Sequence, residues 1–192
     1  GALEVPGQTA ALITPDRALA ERVSGHLKRW GITADDSAGK PLSRTLAGGL
    51  VQAIALAVAE GFAPAALMAL LKHPLVMTGE ARLGWLEQVR GLDLLLRGPR
   101  PAPGLAGMDM LLQPRPENEM DRQRRLRAEV AQWWPDARAM LAPLEALGHG
   151  VQNPAALFQT LREVGSVLTG ERIWAGHQGH ALADLFAQIE DA

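Results

Sequence analysis

The stretch Thr9–Leu46, TAALITPDRALAERVSGHLKRWGITADDSAGKPLSRTL, sets an apolar run, a capped helix and a short Gly-Lys loop in that order, and the fold class turns on how they are read. Ala10–Ile13 reads as a short buried strand. Thr14 then serves as helix N-cap, Pro15 takes a first-turn position that needs no N–H donor, and Asp16 complements the positive end of the helix dipole. Leu19, Val23, Leu27 and Trp30 recur at helical spacing until Gly31 ends the helix. Ile32–Ala34 reads as a second strand, so the opening is a strand–helix–strand unit. Arg17 emerges at the carboxyl end of the first strand, where ligands of open α/β sheets gather, and its planar guanidinium suits a phosphate.

Beyond this opening the pattern is helical. Leu46–Ala59 resumes a helical period, and Ala63–Leu71 makes a further helix with Pro64 tolerated in its first turn and His73-Pro74 as its stop. Leu83, Leu86, Val89, Leu92, Leu95 and Leu96 mark an amphipathic helix. Gly98–Pro116 holds five of the thirteen prolines and reads as an extended connection laid on the surface. Glu117–Leu147 carries Leu126, Val130, Trp133, Ala137 and Leu141 on one face, with Pro135 placed to kink or split the helix. Asn153-Pro154 caps a helix through Leu168, and Ala181–Ile189 forms the last one. The fold expected is therefore α/β but predominantly helical, divided as residues 1–60 and 61–192 within one continuous unit.

Composition excludes several chemistries. The 192 residues contain no cysteine, which removes disulfides, thiolate zinc sites, iron–sulfur ligation and cysteine nucleophiles from this chain. Every apolar run is broken before membrane-spanning length, and Gly1-Ala2 opens no secretory leader, so the expected location is the cytoplasm, away from membranes. A first residue that is not Met suggests either a residue left by cloning or an excised segment. Its net charge of −2 argues against holding nucleic acid by global electrostatics and leaves room for a local basic strip.

Each candidate motif has a plainer reading. Ser37-Ala38-Gly39-Lys40-Pro41-Leu42-Ser43 ends like a phosphate-binding loop, yet it lacks the earlier glycine, and Pro41 stands where Ser or Thr is required and removes an N–H from the cradle. It reads as a polar turn. His177 and His180, with His149 upstream and Asp184 a turn beyond, have residue types that suit zinc or iron, but their spacing is unspecific and a glycine-rich surface turn explains them, so no metal site is assigned. Arg122, Arg124, Arg125 and Arg127, preceded by Arg97, Arg100 and Arg115, form a basic section; Glu117, Glu119, Asp121 and Glu129 lie among them and pair at helical spacing, which reads as a solvated face. Trp133 falls in the apolar stripe and reads as core, although Trp133-Trp134 has the chemistry to stack on bases. The sequence shows no nucleophile elbow and no set of nuclease carboxylates, so no catalytic residue is assigned.

Several ordered blocks carry a resemblance. AALITPDRALAERVSGHLKRWGI, continuing through DDSAGKPL, then FAPAALMALLKHPLV and GLDLLLRGPRPAPGLAG, closely resemble the AddB subunit of the AddAB double-strand-break repair helicase–nuclease in its alphaproteobacterial form, over most of the chain. The resemblance implies an internal fragment of a helicase-like region related to superfamily 1 motors. That region includes part of the second motor lobe, in which Arg17 matches the arginine that reaches the nucleotide's γ-phosphate, followed by a helical subdomain. ATP, magnesium, the nuclease residues and an iron–sulfur cluster belong to the full-length protein and lie outside this chain. The partners implied are DNA and the AddA helicase–nuclease subunit. Lys40, Arg44, Lys72, Arg97 and Arg100, in or beside predicted loops, are the candidates for contact with DNA phosphates. Two alternatives stand beside this reading. One is a module that docks the partner subunit through apolar surface around Leu105–Leu112; the other is a small metalloenzyme using His177 and His180.

Overall fold

A computed structural model of the chain describes residues 9–37, 39–98, 101–114, 120–148 and 153–190. Among these residues there are eight α-helices and no strand: α1 (Arg17–Arg29), α2 (Leu46–Ala59), α3 (Pro64–Leu71), α4 (Ala81–Leu95), α5 (Leu105–Leu112), α6 (Asp121–Glu145), α7 (Pro154–Thr169) and α8 (Gly176–Glu190). The chain divides into two compact units, residues 1–39 and 40–192.

The expected strand–helix–strand opening is corrected. Residues 10–13 and 32–34 are irregular, and Ile13 is 95% exposed. Segments of four and three residues are too short to fix a sheet by themselves. With no further extended segment described to pair their N–H and C=O groups, neither gains the ladder that a strand requires. The helix between them forms as expected but starts differently. Asp16, not Thr14, is the N-cap, its Oδ1 accepting from the N–H of Ala18 and Leu19 at 2.9 and 3.1 Å. Thr14 Oγ1 accepts from the Asp16 N–H at 3.1 Å, one step outside the helix. Arg17 is thus the first residue of α1 rather than the end of a strand.

In the second unit α2 to α8 close around one apolar core in which Leu50, Ile54, Leu67, Leu92, Leu105, Met108, Leu141, Leu144, Leu168 and Phe186 are all but inaccessible. Thr45 caps α2, its Oγ1 accepting from the Gly48 N–H at 3.1 Å, and Asn153 caps α7 ahead of Pro154 as the sequence requires. Gly170, left-handed at φ +57°, ends α7.

Two further expectations are corrected here. Gly98–Pro116 is not an extended connection throughout, because α5 occupies its middle. The five prolines lie at positions 99, 101, 103, 114 and 116 and leave LAGMDMLL uninterrupted. Leu105, Met108, Leu111 and Leu112 are buried, and among the large apolar side chains of α5 only Met110 stays out, so most of the apolar surface expected around Leu105–Leu112 belongs to the core. Helix α6 runs without a break through Pro135 and Pro143. Both rings lie on the exposed side, where water can satisfy the carbonyl each leaves unbonded, while Val130, Trp134, Ala137, Leu141 and Leu144 hold the helix to the core on either side of Pro135. Trp134, not Trp133, is the buried indole; Trp133 is half-buried and meets Trp85 edge-on at 5.0 Å.

Helices α5 and α6 are joined by polar groups as well. Asp109 accepts from Trp134 Nε1 at 2.7 Å and from Arg138 Nε at 2.9 Å, Arg138 reaches on to Glu145 at 3.3 Å, and the buried Arg127 donates to the Leu111 carbonyl. Arg127 therefore leaves the solvated basic face expected for it. Helices α7 and α8 are joined by Arg162, which grips Glu190 through two hydrogen bonds of 3.1 and 2.9 Å and lies over the rings of Trp174 and Phe186.

Gly179 tests this packing. A Cβ at that position would overlap the backbone of Ile173 and Trp174, whereas one at Gly84, on the outer face of α4, meets nothing. Gly179→Ala is expected to lower unfolding free energy in urea by about 1–3 kcal/mol, and Gly84→Ala to raise it by about 0.5–1 kcal/mol through helix propensity.

Candidate functional site

Arg17 is held within its own unit. Its Nη1 and Nη2 donate to Asp36 Oδ1 and Oδ2 at 3.0 and 2.9 Å, and Nη2 donates also to the Gly39 carbonyl at 2.9 Å. This bidentate fork ties the segment after α1 back to the helix start and holds the guanidinium charge even more firmly than usual, chiefly through the Asp36 hydrogen bonds. A phosphate arriving at Arg17 would have to displace a carboxylate that already fits it.

The other candidates separate into distinct places. Lys40 is exposed at the start of the second unit, and Arg44 is exposed in the 3-10 turn Leu42–Arg44 ahead of α2. Arg100 lies outside the described residues. Lys72 and Arg97 are brought together: Lys72 ends α3, Arg97 follows α4, and both cationic heads approach Asp93 Oδ2, at 3.1 and 3.7 Å. Their side chains remain 45% and 71% exposed. A lysine and an arginine distant in sequence thus share one carboxylate at the surface.

Neighbouring residues make this a fixed platform. The end of helix α3 and the turn after it present carbonyls that have no partner inside the helix, and α4 supplies donors to them. Trp85 Nε1 donates to the Leu71 carbonyl at 2.8 Å, while Arg82 donates to those of Lys72 and Val76 at 2.8 and 2.6 Å. The backbone from which Lys72 projects is therefore anchored to the helix that carries Asp93. Sequence inspection missed Arg82, Trp85 and Asp93 as partners of this region. The Asp93–Arg97 pair is legible at spacing i, i+4, but the pairing of Lys72 with Asp93 across 21 positions carries no sequence signal.

His73 lies beside the platform. Its Nδ1 accepts from the Leu75 N–H at 3.3 Å, and burial, followed by the Arg82 charge, lowers its pKa below the ordinary imidazole value. His177 and His180 belong to the first turns of α8 and not to a glycine-rich turn. His149 lies outside the described residues, and among those described no group of three or more His, Asp or Glu converges as metal ligands. Arg122 and Arg125 are exposed on α6, and Arg124 pairs with Asp121 at 3.5 Å.

No helix among the described residues is long and apolar enough to cross a membrane. Comparison of the chain with protein-family models, with curated proteins and with solved structures finds no match.

The lowered pKa of His73 has a definite sign. Near neutrality and just below it, the unfolded chain binds this proton more readily than the folded one, so the contribution of His73 is complete above the unfolded pKa of about 6.5 and is lost as pH falls below it. Urea midpoints should therefore decrease from about pH 7 to about pH 5. His73→Asn, which retains an acceptor for the Leu75 N–H, should flatten part of that slope.

Proposed function

We propose that this chain is a helical, non-catalytic part of an AddB-type subunit of a double-strand-break repair helicase–nuclease, acting in the cytoplasm as a DNA-contacting scaffold beside an AddA-type partner. The family reading is supported by the ordered sequence blocks, which extend from Ala10 to Gly107. DNA contact is supported by one observation above all, the convergence of Lys72 and Arg97 at an exposed point on an anchored backbone. Two cations held a few ångströms apart suit the phosphodiester backbone, which is read by charge and position rather than by base identity. ATP turnover, magnesium and iron–sulfur chemistry are assigned to the parent protein outside this chain. Arg17 would meet a nucleotide only after leaving Asp36.

A second reading, docking of the partner subunit without DNA contact, is favoured by α1. Leu19, Val23 and Leu27 recur at helical spacing along one side of this helix, and Trp30 follows at its end. An amphipathic helix of this kind carries an apolar stripe of the sort that partner helices recognise.

Fluorescence anisotropy of labelled single-stranded and duplex DNA, titrated across salt concentration, separates the two readings. Replacing Lys72 and Arg97 together by alanine should weaken binding about tenfold at low salt and reduce the log–log salt slope by about 1–2. An unchanged slope would remove the DNA reading, and capture of the AddA-type subunit by the same variant would then favour docking.

A further inference from the structure

Asp93 stands between the two cations of the platform and is not needed to hold the helices together. All three side chains of the cluster are substantially exposed, with Asp93 at 32%, and ion pairs of that kind contribute little to stability. The union of α3 with α4 rests instead on Trp85 and Arg82, which bond the backbone carbonyls, and on the buried Val89 and Leu92. Asp109, at the junction of α5 and α6, provides a contrast within the same fold. It also gathers more than one donor, but one of these is the Nε1 of the buried Trp134, so that carboxylate is tied to the interior.

We propose that Asp93 acts as a built-in competing anion that sets the affinity and the ligand class of the Lys72–Arg97 pair. The inference rests on the DNA-contact reading. With Asp93 in place, a single small phosphate gains little by entering, because it exchanges one anion for another that already lies 3.1 Å from the Lys72 ammonium. A nucleic-acid backbone, which brings several phosphates and releases its own counterions, gains enough to displace the carboxylate. The cluster therefore selects a polyanionic strand over a mononucleotide or free phosphate. Arg90, exposed on α4 one turn before Asp93, supplies a further cation along the same helix for a strand that extends past the pair.

The isosteric Asp93→Asn variant tests this in the full chain with a mixed-sequence oligodeoxynucleotide as probe. It should bind about threefold to tenfold more tightly than the wild type at low salt, with a salt slope steeper by about 1. Inorganic phosphate should compete more strongly against the variant than against the wild type. Adding Lys72→Ala and Arg97→Ala to Asp93→Asn should abolish the gain. If Asp93→Asn binds no more tightly while Lys72→Ala/Arg97→Ala still weakens binding, the inference falls and the DNA-contact reading stands. A gain that survives loss of both cations also overturns it. If neither wild type nor variant binds the oligodeoxynucleotide, the inference falls together with the reading on which it rests.

Discussion

The second unit depends on the apolar face of α6, where Trp134, Ala137, Leu141 and Leu144 are buried against the helices around them. A 25-residue helix containing two prolines would be a poor structure in isolation. It survives because tertiary burial from Arg127 to Leu144, not intrinsic propensity, holds it. Helices α4, α5 and α7 all pack on α6, so the position of each follows from that one surface. Trp134 illustrates the requirement most clearly: its ring fills the core, while its N–H must find an acceptor, and Asp109 of α5 supplies it.

Polar contacts divide into those that build the fold and those that face outward. Arg82, Arg127 and Arg162 bond carbonyls, a carboxylate and aromatic rings at helix junctions. Arg17 closes the segment after α1 through a fork that matches its carboxylate. Lys72 and Arg97 differ, because their heads remain largely in solvent around one shared oxygen. The candidate interface is assigned to α3 and α4 because two elements bring these cations to one oxygen, whereas the exposed Arg122, Arg124 and Arg125 of α6 follow one another along a single helix end.

Much of the helical pattern was legible in the sequence. Leu46–Ala59 is legible because an almost unbroken run of apolar or small residues of that length is too long for a strand, and Asn153-Pro154 marks a helix start through a local side-chain bond that needs no distant partner. The expected strands at 10–13 and 32–34 failed for the converse reason, since a strand is completed only by another strand. Helix α5 is hidden in the sequence because prolines crowd both of its flanks and only eight residues between them are free to coil. For the candidate site, Lys72 and Arg97 were singled out individually, but nothing in their spacing indicated that they meet.

By itself the sequence determined that this protein would be mainly helical, where α2, α3 and α7 begin and end, and that cysteine chemistry is absent from the chain. These are local properties, written in caps, periodicity and composition. Only the tertiary structure decided that Trp134 and not Trp133 is buried, that Arg127 turns inward, that Arg17 is clasped by Asp36, and that Asp93 draws two cations to one point. Those outcomes depend on the rotation of each helix about its axis and on the meeting of residues far apart in the chain. Packing fixes both, and a one-dimensional pattern does not encode them.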